Sequence, residues 1–69
     1  MTEIAREIRA DIEAGMVMRN LKRKDLARRT GIPYSTLCQK LNNPMTLGVD
    51  DLIRIVRVTG KEIRIRGSE

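Results

Sequence analysis

Apolar residues recur along this chain with a helical period for most of its length and with a strand period at its end. Ile4, Ile8, Ile12 and Met16 stand four apart with Ala5 beside them, which predicts an amphipathic helix from about Glu3 to Arg19. Thr2 suits its N-cap, and Glu3 suits the positive end of its dipole. Gly15 either weakens the interior, by about 1 kcal/mol relative to Ala, or lets a neighbouring helix come close. Asn20 fits a left-handed stop, after which Leu21 turns back into the core. A second, short helix is expected over Arg23 to Thr30, with Leu26 and Ala27 inward and Gly31 ending it. Ile32 then reads as a buried plug. Pro33 fits the first position of a third helix, where no backbone N–H is needed. Leu37 and Leu41, one turn apart, carry that helix to Leu41 or Asn42. Asn42, Asn43 and Pro44 read as a loop. A fourth helix spans Val49 to Thr59, with Val49, Leu52, Ile53 and Val56 sharing its inner face. Asp50 and Asp51 stand at its N-terminus, and Gly60 is its stop. Beyond it, Glu62-Ile63-Arg64-Ile65-Arg66 alternates as a strand does, and Gly67, Ser68 and Glu69 read as a fraying end. The pattern predicts one mainly all-α domain over residues 1–60 and a tail, 61–69, with a β-strand.

Composition narrows what such a domain can be. At 69 residues it has little core to spare. Phe and Trp are absent and Tyr34 is the sole aromatic, so the core is built from Ile, Leu, Val, Met and Ala, which suits packed helices. Cys38 is the only cysteine, so no disulfide forms within one chain, and a secreted domain this small would usually carry several. No signal-peptide core or apolar run of membrane-spanning length is visible, and a cytoplasmic location is expected. With no His and one Cys, zinc sites using His, cysteine metal sites and a Ser-His-Asp triad are excluded. No cofactor and no small-molecule ligand are expected. The Asp50/Asp51 pair reads as helix-dipole chemistry rather than acid–base catalysis, and Cys38 as a small packed thiol. These readings argue against an enzyme.

Charge changes the picture more by its location than by its size. The net charge is +5, and residues 22–42 alone hold Lys22, Arg23, Lys24, Arg28, Arg29 and Lys40 against Asp25. The net charge of the remaining residues cancels. A focused positive patch suits a polyphosphate partner, and the alternative is a solvated face that aids solubility. Lys22-Arg23-Lys24 is oddly placed at a helix N-terminus, since cations there oppose the dipole by about 0.3–1 kcal/mol each at an exposed site. A phosphate at that terminus would reverse the logic, meeting both the free N–H groups and the cations.

Two helices crossing closely need a small residue at the crossing, a Gly in the turn and an apolar residue facing back to the core. Ala27, Gly31 and Leu37 supply these, with Leu26 and Ile32 in the flanking apolar sites. The stretch Asp25-Leu26-Ala27-Arg28-Arg29-Thr30-Gly31-Ile32-Pro33-Tyr34-Ser35-Thr36-Leu37 resembles the helix-turn-helix of the phage Cro and repressor (XRE-like) family, and Val49 to Gly60 resembles the helix that usually follows. The chain departs from that family at Lys22 and Arg23, where a Ser/Thr cap and Gln are common. It departs again at Lys40, often apolar, and at Pro33, typically a small polar cap. The resemblance implies a lambda-repressor-like helix-turn-helix domain of four to five short helices, with the motif at about 23–42. It implies a sequence-specific regulator of transcription, Cro-like, whose third helix enters the major groove of double-stranded DNA.

On that helix, at 100° per residue, Leu37 and Leu41 point inward while Ser35 and Gln39 lie nearly opposite, with Thr36 beside them. By the resemblance, Tyr34, Ser35, Thr36 and Gln39 contact bases. Gln39 has the geometry to pair with adenine, Ser35 to donate or accept, and Thr36 to offer a methyl or a hydroxyl. Tyr34 touches a base or a phosphate, or packs on Leu37. Lys22, Arg23, Lys24, Lys40, Asn42 and Asn43 are expected at the DNA backbone. For Asn42 and Asn43 the alternative is that the two amides simply make the turn.

Ile63 and Ile65 would share one face of the terminal strand. A lone strand leaves both edges unpaired, so a two-fold partner supplying the same strand is one solution. A frayed tail, or a strand folded on its own domain, is another. A homodimer would face half-sites about 34–36 Å apart in an inverted-repeat operator. The competing function is a protein-interaction module, such as an antitoxin that also regulates its own operon. RNA is a weaker partner, because stacking aromatics are nearly absent.

Overall fold

The computed structural model describes residues 2–60, and these form a helical domain with no strand. Four α-helices follow in order: α1 (Glu3–Met18), α2 (Arg23–Thr30), α3 (Tyr34–Asn42) and α4 (Val49–Thr59), with a single 3-10 turn, Pro44–Thr46, between the last two. The expected strand, with Ile63 and Ile65, lies outside the described residues.

α1 begins where Thr2 accepts a hydrogen bond at Oγ1 from the Ala5 N–H at 3.2 Å. It ends one residue earlier than its apolar period suggests, because Asn20 enters the left-handed region at φ +53. The Leu21 N–H then donates to the Met16 carbonyl at 2.8 Å and the Asn20 N–H to that of Val17 at 3.1 Å. This pair of bonds is the Schellman closure, and it folds Leu21 back against the core beside Met16.

The ends of α2 and α4 share a device. Each closes on a buried Thr followed by a left-handed Gly: Thr30-Gly31 and Thr59-Gly60. The Thr30 hydroxyl donates to the Leu26 carbonyl at 2.8 Å, and Thr59 donates to that of Ile55 at 3.0 Å. The bond satisfies a hydroxyl that burial would otherwise strand, and the Gly takes the positive φ that ends the helix.

The core gathers Ile8, Ile12 and Met16 of α1, Leu26 and Ala27 of α2, Ile32 of the connection, Leu37 and Leu41 of α3, and Ile55 of α4. Ile12, Leu26, Leu37, Leu41 and Ile55 are wholly buried. Two expectations are corrected here. Pro33 is not the first residue of α3 but its N-cap, at φ −54 and ψ 140, with its carbonyl accepting the Leu37 N–H at 2.8 Å. An extended ψ is available to Pro at no cost, whereas a helical one is not required until the next residue. The inner face of α4 is also displaced. Val49 is 72% exposed and Ile53 44%, while Ile55 is wholly buried and Leu52 and Val56 lie at the margin. Apolar residues at 49, 52, 53, 55, 56 and 58 permit two stripes, and contact with α1 and α2 selects the one through Ile55 and Thr59. The loop after α3 is also more ordered than its composition suggests. Pro44 is buried, and the Asn43 carbonyl accepts from both the N–H and the hydroxyl of Thr46, at 2.9 and 2.7 Å.

Candidate functional site

The connection Gly31-Ile32-Pro33 is short because each of its residues has one task. Gly31 reverses the backbone at φ +78, Ile32 plugs into the core, and Pro33 starts α3. Ile32 is further pinned by its N–H, which donates to the Thr30 hydroxyl at 3.3 Å. α3 is therefore held from below by Leu37 and Leu41 and from its entry by Ile32, with α2 packed against it.

Its other side is open. Ser35 and Gln39 are exposed, Thr36 is half-buried, and Tyr34 stands 47% exposed at the N-terminal end. Tyr34 lies close to Cys38, one turn on. Hydrogen bonding to the Cys38 side chain, then negative charge at Cys38, push the phenol above its ordinary value; the Arg23 guanidinium pulls it the other way. Cys38 itself is half-buried, at the edge of the packed face.

The cations of the basic segment fall into distinct states. Arg28 is bonded to Asp25 at 2.9 Å. Arg23 reaches Glu13 of α1 at 3.7 Å, and the same Glu13 oxygen accepts from Arg9 at 3.1 Å. Lys40 donates to the Thr46 carbonyl at 3.0 Å, so its ammonium is held against the 3-10 turn rather than projecting outward. Lys22, Lys24 and Arg29 are exposed and have no acidic partner among the described residues. Asn42 and Asn43 are also exposed. The turn beneath them is made by the Asn43 carbonyl and Thr46, so the two amides do not build it.

Both helices here begin without a side-chain cap on their first turn. Neither Lys22 nor Pro33 has a side-chain acceptor to offer, and Pro33 has no N–H. The one capping bond at α2 runs the other way, with the Asp25 carboxylate accepting from the Lys22 N–H at 3.0 Å. This bond, and the ion pair that reaches across from Glu13 of α1 to Arg23, are the features that sequence reasoning missed. The spacing Lys22 to Asp25 is that of a capping box and carried a signal; the Glu13–Arg23 pair depends on how two helices meet and carried none.

Elsewhere, a cavity of about 310 Å³ is lined by Gly15, Met18, Arg19, Thr59 and Gly60, without a carboxylate or thiol. Among the described residues there is no cluster of three or more metal-ligating side chains, and no helix is long and apolar enough to cross a membrane. Comparison with protein-family models, with curated proteins and with solved structures finds no match for this chain.

Proposed function

We propose that this chain is a sequence-specific double-stranded DNA-binding regulator of transcription, with α2 and α3 as a helix-turn-helix and α3 as the segment that enters the major groove. The observation that carries this reading is the outer face of α3. A short rod fixed by two wholly buried leucines exposes Ser35 and Gln39, side chains able to read base edges, with Thr36 and Tyr34 alongside. The uncapped first turns of α2 and α3 supply free N–H groups, which suit phosphate oxygens.

Lys22 and Lys24 are ready to meet the DNA backbone. Arg23 meets it by exchanging Glu13 for phosphate, a small loss, since an exposed ion pair is worth about 0–1 kcal/mol. Lys40 reaches phosphate only by leaving Thr46, and Asn42 and Asn43 extend the contact from the far end of α3. Two copies on an inverted repeat complete the assembly, and occupancy of the site excludes competing proteins.

The test separates the two kinds of contact. Gln39→Ala should weaken binding to the preferred site by about 1–3 kcal/mol and leave random DNA nearly unaffected. Lys24→Ala should weaken both alike and reduce the slope of log affinity on log salt by about 1. Fluorescence anisotropy at several salt concentrations reads both effects. Equal loss on both DNAs for Gln39→Ala would remove α3 from base reading.

A further inference from the structure

Glu13 of α1 serves two arginines with one oxygen. Its Oε1 accepts from Arg9 Nε, one turn back on the same helix, at 3.1 Å, and lies 3.7 Å from Arg23 Nη2 at the start of α2. Lys22 and Lys24, on either side of Arg23 in the chain, have no acidic partner among the described residues. Arg23 also stands near the entry of α3. The Tyr34 phenol there is raised chiefly by its hydrogen bond with Cys38 and lowered by the Arg23 guanidinium. The cation at the meeting point of the first three helices is thus the one that a carboxylate already holds. Carboxylate and phosphate oxygens suit the same guanidinium fork, so a duplex must take Arg23 from Glu13. The exchange leaves no bare carboxylate, because Arg9 is the nearer partner and stays.

We infer that Glu13 is an internal competitor of phosphate for Arg23: it restrains the arginine in the free protein and lowers the affinity for every duplex alike. The inference rests on the DNA-binding reading and adds to it a residue outside the helix-turn-helix that sets the strength of binding. Glu13 itself touches no base, so its effect does not depend on sequence. The pair is exposed, so removing the carboxylate should tighten binding by about two- to fivefold and no more.

A double-mutant cycle on the full chain tests it, read by fluorescence anisotropy on a duplex of arbitrary sequence at near-physiological salt, where charges beyond about 8 Å are largely screened. The four proteins are the wild type, Glu13→Gln, Arg23→Ala and the two together. Glu13→Gln alone should bind about two- to fivefold more tightly than the wild type. Damage to the fold weakens binding, so tightening cannot arise from it. In the Arg23→Ala background the same change should alter affinity by less than about 1.5-fold, because the competed cation is gone. Equal tightening with and without Arg23 overturns the inference, since Glu13 would then act only through the general field. So does an unchanged or weakened Glu13→Gln, which would make Glu13 idle or a support for Arg23. Failure of the wild type to bind any duplex is a different result. It removes the DNA-binding reading and the inference with it, whereas a binding wild type with an indifferent Glu13→Gln removes the inference alone.

Discussion

At Gly31 the backbone sits at φ +78, and nothing lies within 4 Å of where a Cβ would stand. The demand there is conformational, not steric. Gly31→Ala should therefore cost about 1–2 kcal/mol in urea unfolding, and Gly31→Asn less, because Asn tolerates the left-handed region. A loss above about 4 kcal/mol would mean that the turn has a steric requirement as well. Gly60 differs: a Cβ there would meet the Arg19 guanidinium, so the arginine would have to move. Tyr34 offers a cleaner reading of local electrostatics, because it is the only tyrosine. Cys38→Ala removes the group that raises its phenol, so the phenolate absorbance should appear at lower pH than in the wild type. An unchanged midpoint would deny the contact. The exposure of Ser35 and Gln39 was legible from helical geometry alone. The states of Arg23 and Lys40 were not, since they depend on Glu13 and Thr46, which only the folded chain brings near.

Among the helices, α1 and α4 show when periodicity suffices. In α1 the apolar residues repeat at a single spacing, so both its existence and its buried side follow from the chain. Only its end shifts, by a residue, where the Asn20 closure competes with continuation. In α4 the apolar residues are nearly continuous, and the bounds follow from Asp50, Asp51 and Gly60 while the buried side does not. Ile55 had no mark to set it above Ile53. The difference in packing is measurable. Ile55→Ala should destabilise the domain by about 2–5 kcal/mol, as should Leu37→Ala, whereas Ile53→Ala should cost under about 1 kcal/mol. A domain of this length commands only about 3–10 kcal/mol in all, so either core variant is a severe loss. Comparable costs for Ile53 and Ile55 would overturn the assignment of the inner face. Leu37→Ala also removes one of the two anchors of α3, and should weaken DNA binding by lowering the folded population.

Across the whole molecule, charge and packing divide the labour. The excess of positive charge resides in residues 22–42, the segment that forms α2, its connection and α3. α1 contributes Glu13, which restrains Arg23, and supplies the largest apolar row to the core. α4 joins α1 and α2 through Ile55 and turns Val49 and Ile53 outward. The basic segment and the exposed apolar residues of α4 thus belong to different elements. The central claim is that the outer face of α3 reads duplex sequence. Selection from a random pool of duplex DNA at moderate salt, run in parallel with wild type and Gln39→Ala, tests it most directly. The account predicts an enriched inverted repeat for the wild type, with relaxed preference at one position of each half-site in the variant. Recovery of no motif by the wild type, or of an identical motif by both proteins, would contradict it.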